Sequence, residues 1–252
     1  MVRGTARRKP SSSRSRTIGA DLLPLIAIAL IVSAQLPAQT PVRLREQIRL
    51  DGTQLDLRGT SVTDEDLRQV GEREFSRITS ALLAGTQVGD AGLAHVARLP
   101  LRQLDLARTR VTDAGLAHLE GLPLERLDLT GTGVTDAGLA SLKGLPLWML
   151  VLRETKIDGW GLAALGGLNL RLLDLSYTAV TDTAVGRLGA VKAIVTLDVS
   201  DTRITDDVVP HLERIAGLTT VHVAGTAVSS QAVARLKRSR PQLTIVTARP
   251  TR

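Results

Sequence analysis

Few residues in this chain are of types and spacings that could do covalent chemistry. Asp128-Leu129-Thr130-Gly131-Thr132 sets a carboxylate ahead of two hydroxyls and a glycine, a pattern in which an aspartate can serve as a phosphoryl-accepting nucleophile. Asp198-Val199-Ser200-Asp201-Thr202 writes a similar pattern further on. Phosphoryl transfer also needs a lysine and a metal-binding acid, and the sequence sets neither beside these loops. A second candidate is a column of carboxylates, Asp105 with Asp128 and Asp174 with Asp198. On neighbouring strands about 4.8 Å apart, such pairs could hold a divalent cation or raise one another's pKa. The four histidines, His95, His118, His211 and His222, form no cluster with a serine and an acid. The chain has no cysteine, which excludes disulfides, thiolate metal sites and a thiol nucleophile.

The elements that would position these groups are set by a repeat. Thr60, Thr86, Thr109, Thr132, Thr155, Thr178, Thr202 and Thr226 follow one another at spacings of 26, 23, 23, 23, 23, 24 and 24 residues. Two residues after each stands Val or Ile, from Val62 to Val228. Eight copies of one unit account for the chain from Gln54 onward.

One unit, Leu101 to Pro123, shows its logic. Leu104 and Leu106 alternate with Asp105, the period of a strand with one buried face. Thr112-Asp113 suits a helix start, where a side-chain oxygen accepts a first-turn amide. Leu116 and Leu119 share one face of a helix of about two turns, and Gly121 and Pro123 end it. Strand, turn, short helix and return loop cannot bury their leucines alone, so the units must stack. Asp128 is then one step of an outward acidic stripe on the strands, and the stripe is expected to be solvated rather than metal-bound. The Thr column falls where the chain leaves the strand. Its hydroxyl is expected to be buried and to bond the backbone of the neighbouring unit.

These residues resemble the leucine-rich repeat family, in the subclass written LxxLxLxxTxITDxGLxxLxxLP of bacterial repeat proteins, similar to the repeats of F-box proteins. The resemblance implies an α/β solenoid that is curved, with a parallel sheet on the concave face and short helices on the convex face. It implies binding rather than catalysis. The chain departs from the pattern at four places. Gly159 replaces the usual Asp in unit five, Ser229-Ser230 replaces Thr-Asp in unit eight, Ala81 replaces a core Leu in unit two, and an insertion runs from Gly71 to Arg77 in unit one.

The pattern of outward residues changes in units five and six. Met149, Val151 and Leu172 stand where other units place polar residues such as Gln103, Asp105, Arg126 and Asp128. Trp148 precedes that strand, and Arg153 and Tyr177 lie just beyond. Apolar residues with Trp, Tyr and Arg on a sheet face have the composition of an interface hot spot. The expected partner-binding residues are therefore Trp148, Met149, Val151, Arg153, Leu172 and Tyr177, with Asp105, Asp128, Asp174 and Asp198 beside them.

The net charge of +7 is carried by the ends. Residues 1–34 hold six Lys or Arg side chains and one acid, and residues 235–252 hold six and none. The body between is mildly acidic, which speaks against a nucleic-acid partner. A basic stretch, the apolar run Leu22 to Val32 and the small residues Ser33-Ala34 form an export signal or an N-terminal membrane anchor. The expected organisation is a signal or anchor over 1–34, a linker and N-terminal cap over 35–53, repeats over 54–242, and a C-terminal cap and tail over 243–252. The expected function is a non-catalytic scaffold, exported or anchored by its N-terminal segment, that binds a protein partner through the concave sheet. It acts as a monomer and carries no metal or cofactor. The alternatives are an F-box-like adaptor or secreted host-directed effector, and more weakly a carboxylate-based hydrolase.

Overall fold

Each strand of the repeats is only three residues long, because a unit of 23 or 24 residues must leave the sheet, turn one short helix and return. The structure, a computed structural model, describes residues 49–50, 53–68, 77–191 and 193–249. The strands are β1 (Arg49–Leu50), β2 (Gln54–Asp56), β3 (Ser80–Leu82), β4 (Gln103–Asp105), β5 (Arg126–Asp128), β6 (Met149–Val151), β7 (Leu172–Asp174), β8 (Thr196–Asp198), β9 (Thr220–His222) and β10 (Thr244–Val246). They form one ten-stranded sheet in chain order. β2 to β10 pair in parallel, and β1 lies antiparallel on β2. The register is that of the repeat: Leu104 pairs with Leu127, Leu127 with Leu150 and Leu150 with Leu173. These middle residues point inward and are buried, as are Leu55, Leu197 and Val221. Ala81, the unit-two departure, holds the same inward place fully buried. The N-terminal signal or anchor, and most of the insertion near Gly71, lie outside the described residues. Among the described residues no helix is long and apolar enough to cross a membrane.

The helical segments are short and tight. Asp90–Val96 and Asp182–Arg187 are α-helical, whereas Asp136–Leu142 and Gly161–Gly167 are 3-10 throughout. Each presents its apolar residues to the sheet, for example Leu139 with Leu142 and Leu162 with Leu165, all fully buried. Burying a leucine side chain is worth about 1.5–3 kcal/mol, and stacking supplies the second surface that a lone unit lacks.

The Thr column corrects one expectation. Six of the eight threonines are buried, but each hydroxyl donates to the carbonyl three residues before it in its own unit. Thr132 reaches Leu129 at 2.7 Å and Thr155 reaches Leu152 at 2.5 Å. The reason is local. The turn after the strand brings that carbonyl over the hydroxyl, and the amides of the turn already donate across the ladder, as Gly131 N does to the Arg153 carbonyl.

The contact between neighbouring units is made by the aspartate of the Thr-Asp pair. Asp113 accepts the Thr135 amide at 2.8 Å and the Thr135 hydroxyl at 2.6 Å. Asp90 does the same for Thr112, Asp182 for Thr205 and Asp206 for Ser229. Helix capping is therefore secondary: Thr135, Thr205 and Ser229 accept a first-turn amide, and Thr112 makes no such bond. The glycine two residues after the aspartate makes room for this clasp. A Cβ on Gly115 or Gly138 would collide with Oδ1 of the preceding unit's Asp90 or Asp113.

The clasp is interrupted once, where Gly159 replaces Asp. Asp136 there spreads over the amides of Asp158, Gly159 and Gly161. With no carboxylate arriving from Gly159, the next unit carries a methyl, Ala184, at the place of Gly92, Gly115 and Gly138; the last two units hold Val208 and Ala232 there. A Cβ on Gly159 would collide with the Ala184 methyl. The two departures are one steric exchange.

At the far end Arg240 plugs the last helix–strand corner. Its guanidinium donates to the carbonyls of Glu213, Ile215, Ala216 and Leu218, and Lys237 Nζ donates to the Leu243 carbonyl at 2.7 Å. This part of the basic C-terminal run is structural.

Two measurements check these assignments. Gly138→Ala should destabilise by about 1–3 kcal/mol through overpacking against Asp113. Combined with Asp113→Gly it should cost clearly less than the sum of the two single changes, by at least about 0.5 kcal/mol in urea midpoints. Additive losses would refute the steric exchange. Arg240→Ala should cost about 1–3 kcal/mol, because it leaves four carbonyls without their charged donor. A midpoint shift within error would remove Arg240 from the cap.

Candidate binding surface

The outward face of the sheet carries side chains in rows one strand apart. The first strand residue gives Gln103, Arg126, Met149, Leu172 and Thr196 across β4 to β8, and the third gives Asp105, Asp128, Val151, Asp174 and Asp198. Met149 pairs directly with Leu172, and Val151 lies between Asp128 and Asp174. Trp148 flanks one end of this strip and Arg153 with Tyr177 the other. The strip thus crosses the whole width of the sheet at units five and six.

Exposure within the strip is uneven. Tyr177 is 42% exposed and Trp148 37%, and Met149 and Leu172 are half-buried. Val151 is only 7% exposed, so the centre of the strip is covered rather than open as the sequence suggested. The flanking rows leave a short side chain little free surface.

All three aromatics that the sequence set in units five and six lie under an arginine. Arg126 sits over Trp148 at 5.6 Å and Arg153 over Tyr177 at 4.1 Å. Trp160, 74% exposed, is stacked by Arg187 at 4.7 Å, but it stands at the start of the helical segment and not on the sheet face. It is separate from the strip.

The carboxylate column has a local task. Each aspartate accepts, through Oδ1, the amide two residues on: Asp105 from Ala107, Asp128 from Thr130, Asp174 from Ser176 and Asp198 from Ser200. These amides point out of the ladder and would otherwise lack a protein partner. Burial pushes the Asp105 and Asp174 carboxyls upward, and the neighbouring charges of Asp128 and Asp198 add to the rise. The Ala107 amide acts against it at Asp105, and the Ser176 hydroxyl and amide at Asp174. Among the described residues no group of three or more His, Asp or Glu side chains is arranged to hold a metal ion. His222 holds the outward place on β9, and His211 is half-buried with its Nδ1 unpartnered.

A feature absent from the expected site lies beside it. The residue before each column threonine has positive φ. It is glycine in four copies, Gly59, Gly85, Gly131 and Gly225, but Arg108, Glu154, Tyr177 and Asp201 in the others, at φ of 55 to 57°. A non-glycine residue there costs about 1–2 kcal/mol. Two of these side chains meet each other, and the other two each meet an arginine. Arg108 reaches over Gly131 to Glu154 at 3.9 Å, Arg153 Nε lies 3.3 Å from Glu154, and Arg153 donates to Ser176 Oγ at 3.1 Å. Arg249 pairs with Asp201. The signal was in the sequence as an alternation of glycine with large residues at one column, visible once that column is read by its backbone need.

A family model described as Leucine Rich repeat matches residues 123–143, the unit that contains Asp128 to Thr132. No curated protein matches the chain. Among solved structures, the chain is similar to an internalin (inlF) from Listeria monocytogenes, with TM-score 0.59, 16% identity, and coverage of 79% of this chain and 54% of that one. It is also similar to an internalin C2 (inlC2) from the same species, with TM-score 0.59, 25% identity, and coverage of 78% and 80%. A third similarity is to the mouse RP105/MD-1 complex, with TM-score 0.50, 20% identity, and coverage of 71% and 37%. The chain spans about half the length of the first internalin. The fold is a leucine-rich-repeat solenoid, with an open parallel sheet and short helices. The Asp128 loop is a repeat of that solenoid.

Asp174→Asn keeps the oxygen that accepts the Ser176 amide and removes the charge that burial disfavours. The folded carboxyl has the higher pKa, so the charged form costs stability above that value and the cost disappears as pH falls through it. Asp174→Asn should therefore be more stable than the parent at pH 7, with the difference closing as pH falls toward about 4. Urea unfolding across that range reads it, and a less stable variant at pH 7 would contradict the assignment.

Proposed function

We propose that this chain is a protein-binding scaffold that holds its partner on the outward sheet face, centred on the strip from Trp148 to Tyr177. The observation that carries this reading is the set of strained residues beside the strip. Stability alone favours glycine at all eight positions, and four of them use it. Arg108, Glu154, Tyr177 and Asp201 are kept at an energetic cost, and two of them, Glu154 and Tyr177, adjoin the apolar strip and its Arg153. Strain concentrated where large side chains are displayed fits recognition. The fold supports the reading, and the RP105/MD-1 structure is that of a complex. The scaffold is non-catalytic, and residues 1–34 carry it to or across a membrane.

Tyr177→Gly with Glu154→Gly separates recognition from folding. Relief of strain and the added freedom of glycine nearly offset, so unfolding should stay within about 1 kcal/mol of the parent. Capture of a partner from the protein's own cells by the full chain should fall at least tenfold. Undiminished capture by a folded double variant would overturn the placement of the site.

A further inference from the structure

The scaffold reading leaves open the chemistry of the partner, and the charges on the sheet face constrain it. Across β4 to β8 and the turn residues between each strand and its column threonine, the face carries six carboxylates and three guanidiniums. The guanidiniums are engaged within the chain: Arg126 on the Trp148 ring, Arg153 on Tyr177 and Glu154, and Arg108 with Glu154. Asp201 is paired with Arg249. The strand carboxylates Asp105, Asp128, Asp174 and Asp198 accept amides and join no ion pair among the described residues. They stand in two adjacent pairs on either side of Val151, with Met149 and Leu172 beside it.

Resting on the scaffold reading, we infer that this face takes an extended cationic segment of a protein partner, whose Lys or Arg side chains meet the two carboxylate pairs while apolar residues between them cover Met149 and Leu172. Asp128 and Asp174 are two strand steps apart, about 9.6 Å. Cationic side chains three residues apart in an extended polyproline-II-like chain are spaced about 9.3 Å and lie on one side of it. The spacing of the acids therefore matches a segment with basic residues at positions i and i+3. Opposite charges steer such a segment to the face, and the apolar strip holds it there.

The test uses a defined probe, the hexapeptide glycine-lysine-leucine-leucine-lysine-glycine, titrated into the full chain by calorimetry or NMR. One control replaces its lysines with glutamate and another its leucines with serine. The lysine–leucine peptide should bind at least tenfold more tightly than either control, and more weakly as salt is raised. Asp128→Asn with Asp174→Asn, which keeps both amide acceptors, should weaken it at least tenfold. Asp207→Asn with Glu120→Gln, two exposed acids on the helical side, should not. Equal binding of the glutamate peptide, indifference to Asp128→Asn with Asp174→Asn, or no binding of any peptide would overturn the inference. Capture that still depends on Tyr177 and Glu154 would in that case leave the scaffold reading standing. Loss of that dependence would remove the scaffold reading itself.

Discussion

The amides where the chain passes from strand to helix have no partner inside their own unit, and the aspartate of the preceding unit meets that need. One carboxylate binds one backbone amide and one hydroxyl of the next unit, as Asp113 does for Thr135. An unmet buried amide costs about 1–3 kcal/mol, so each clasp fixes its neighbour's position as well as its own. Other features follow from it. At Gly92, Gly115 and Gly138 glycine is needed because the incoming carboxylate occupies the space of a side chain. Where the carboxylate is missing at Gly159, Ala184 stands at that place and its methyl lies against Gly159.

A solenoid held in this way fixes backbone angles independently of the side chains that ride on them. The turn before each column threonine keeps its positive φ whether the residue is Gly131 or Tyr177. Stacking thus supports strain that an isolated loop would relax. It also means that a large residue there changes what the edge displays without changing the architecture. Arg108 and Glu154 illustrate this, meeting across the glycine of the unit between them.

Much of the fold was legible because periodicity is a long-range signal. The Thr column set the strand register residue for residue, and that register identified Asp128 as a rung of the stripe rather than a nucleophile. Hydrogen-bond direction was not legible. The Thr hydroxyl turned back to its own Leu129 carbonyl because turn geometry places that carbonyl nearest, which spacing alone cannot show. The roles of Asp113 and Asp136 were hidden for a related reason: a helix-start aspartate reads as a cap, and only the stack reveals the amide one unit away. On the sheet face, composition singled out Met149, Leu172, Arg153 and Tyr177. It passed over the strain at Glu154, Arg108 and Asp201, which look like ordinary polar turn residues until their backbone angle is known.

The carboxylate stripe joins the scaffold to its proposed use. Each aspartate ties Oδ1 to the amide two residues on, so its rotamer is set by the turn and not by solvent. A partner that binds such a group does not have to immobilise it, and ordering a free side chain costs about 0.5–1.5 kcal/mol. The same tether holds the acids close enough that burial and mutual repulsion raise Asp105 and Asp174. A cation brought to the face relieves that repulsion, so the electrostatic cost of stacking like charges is returned on binding. A surface that is mildly unfavourable when empty and ordered in advance is well suited to recognise opposite charge.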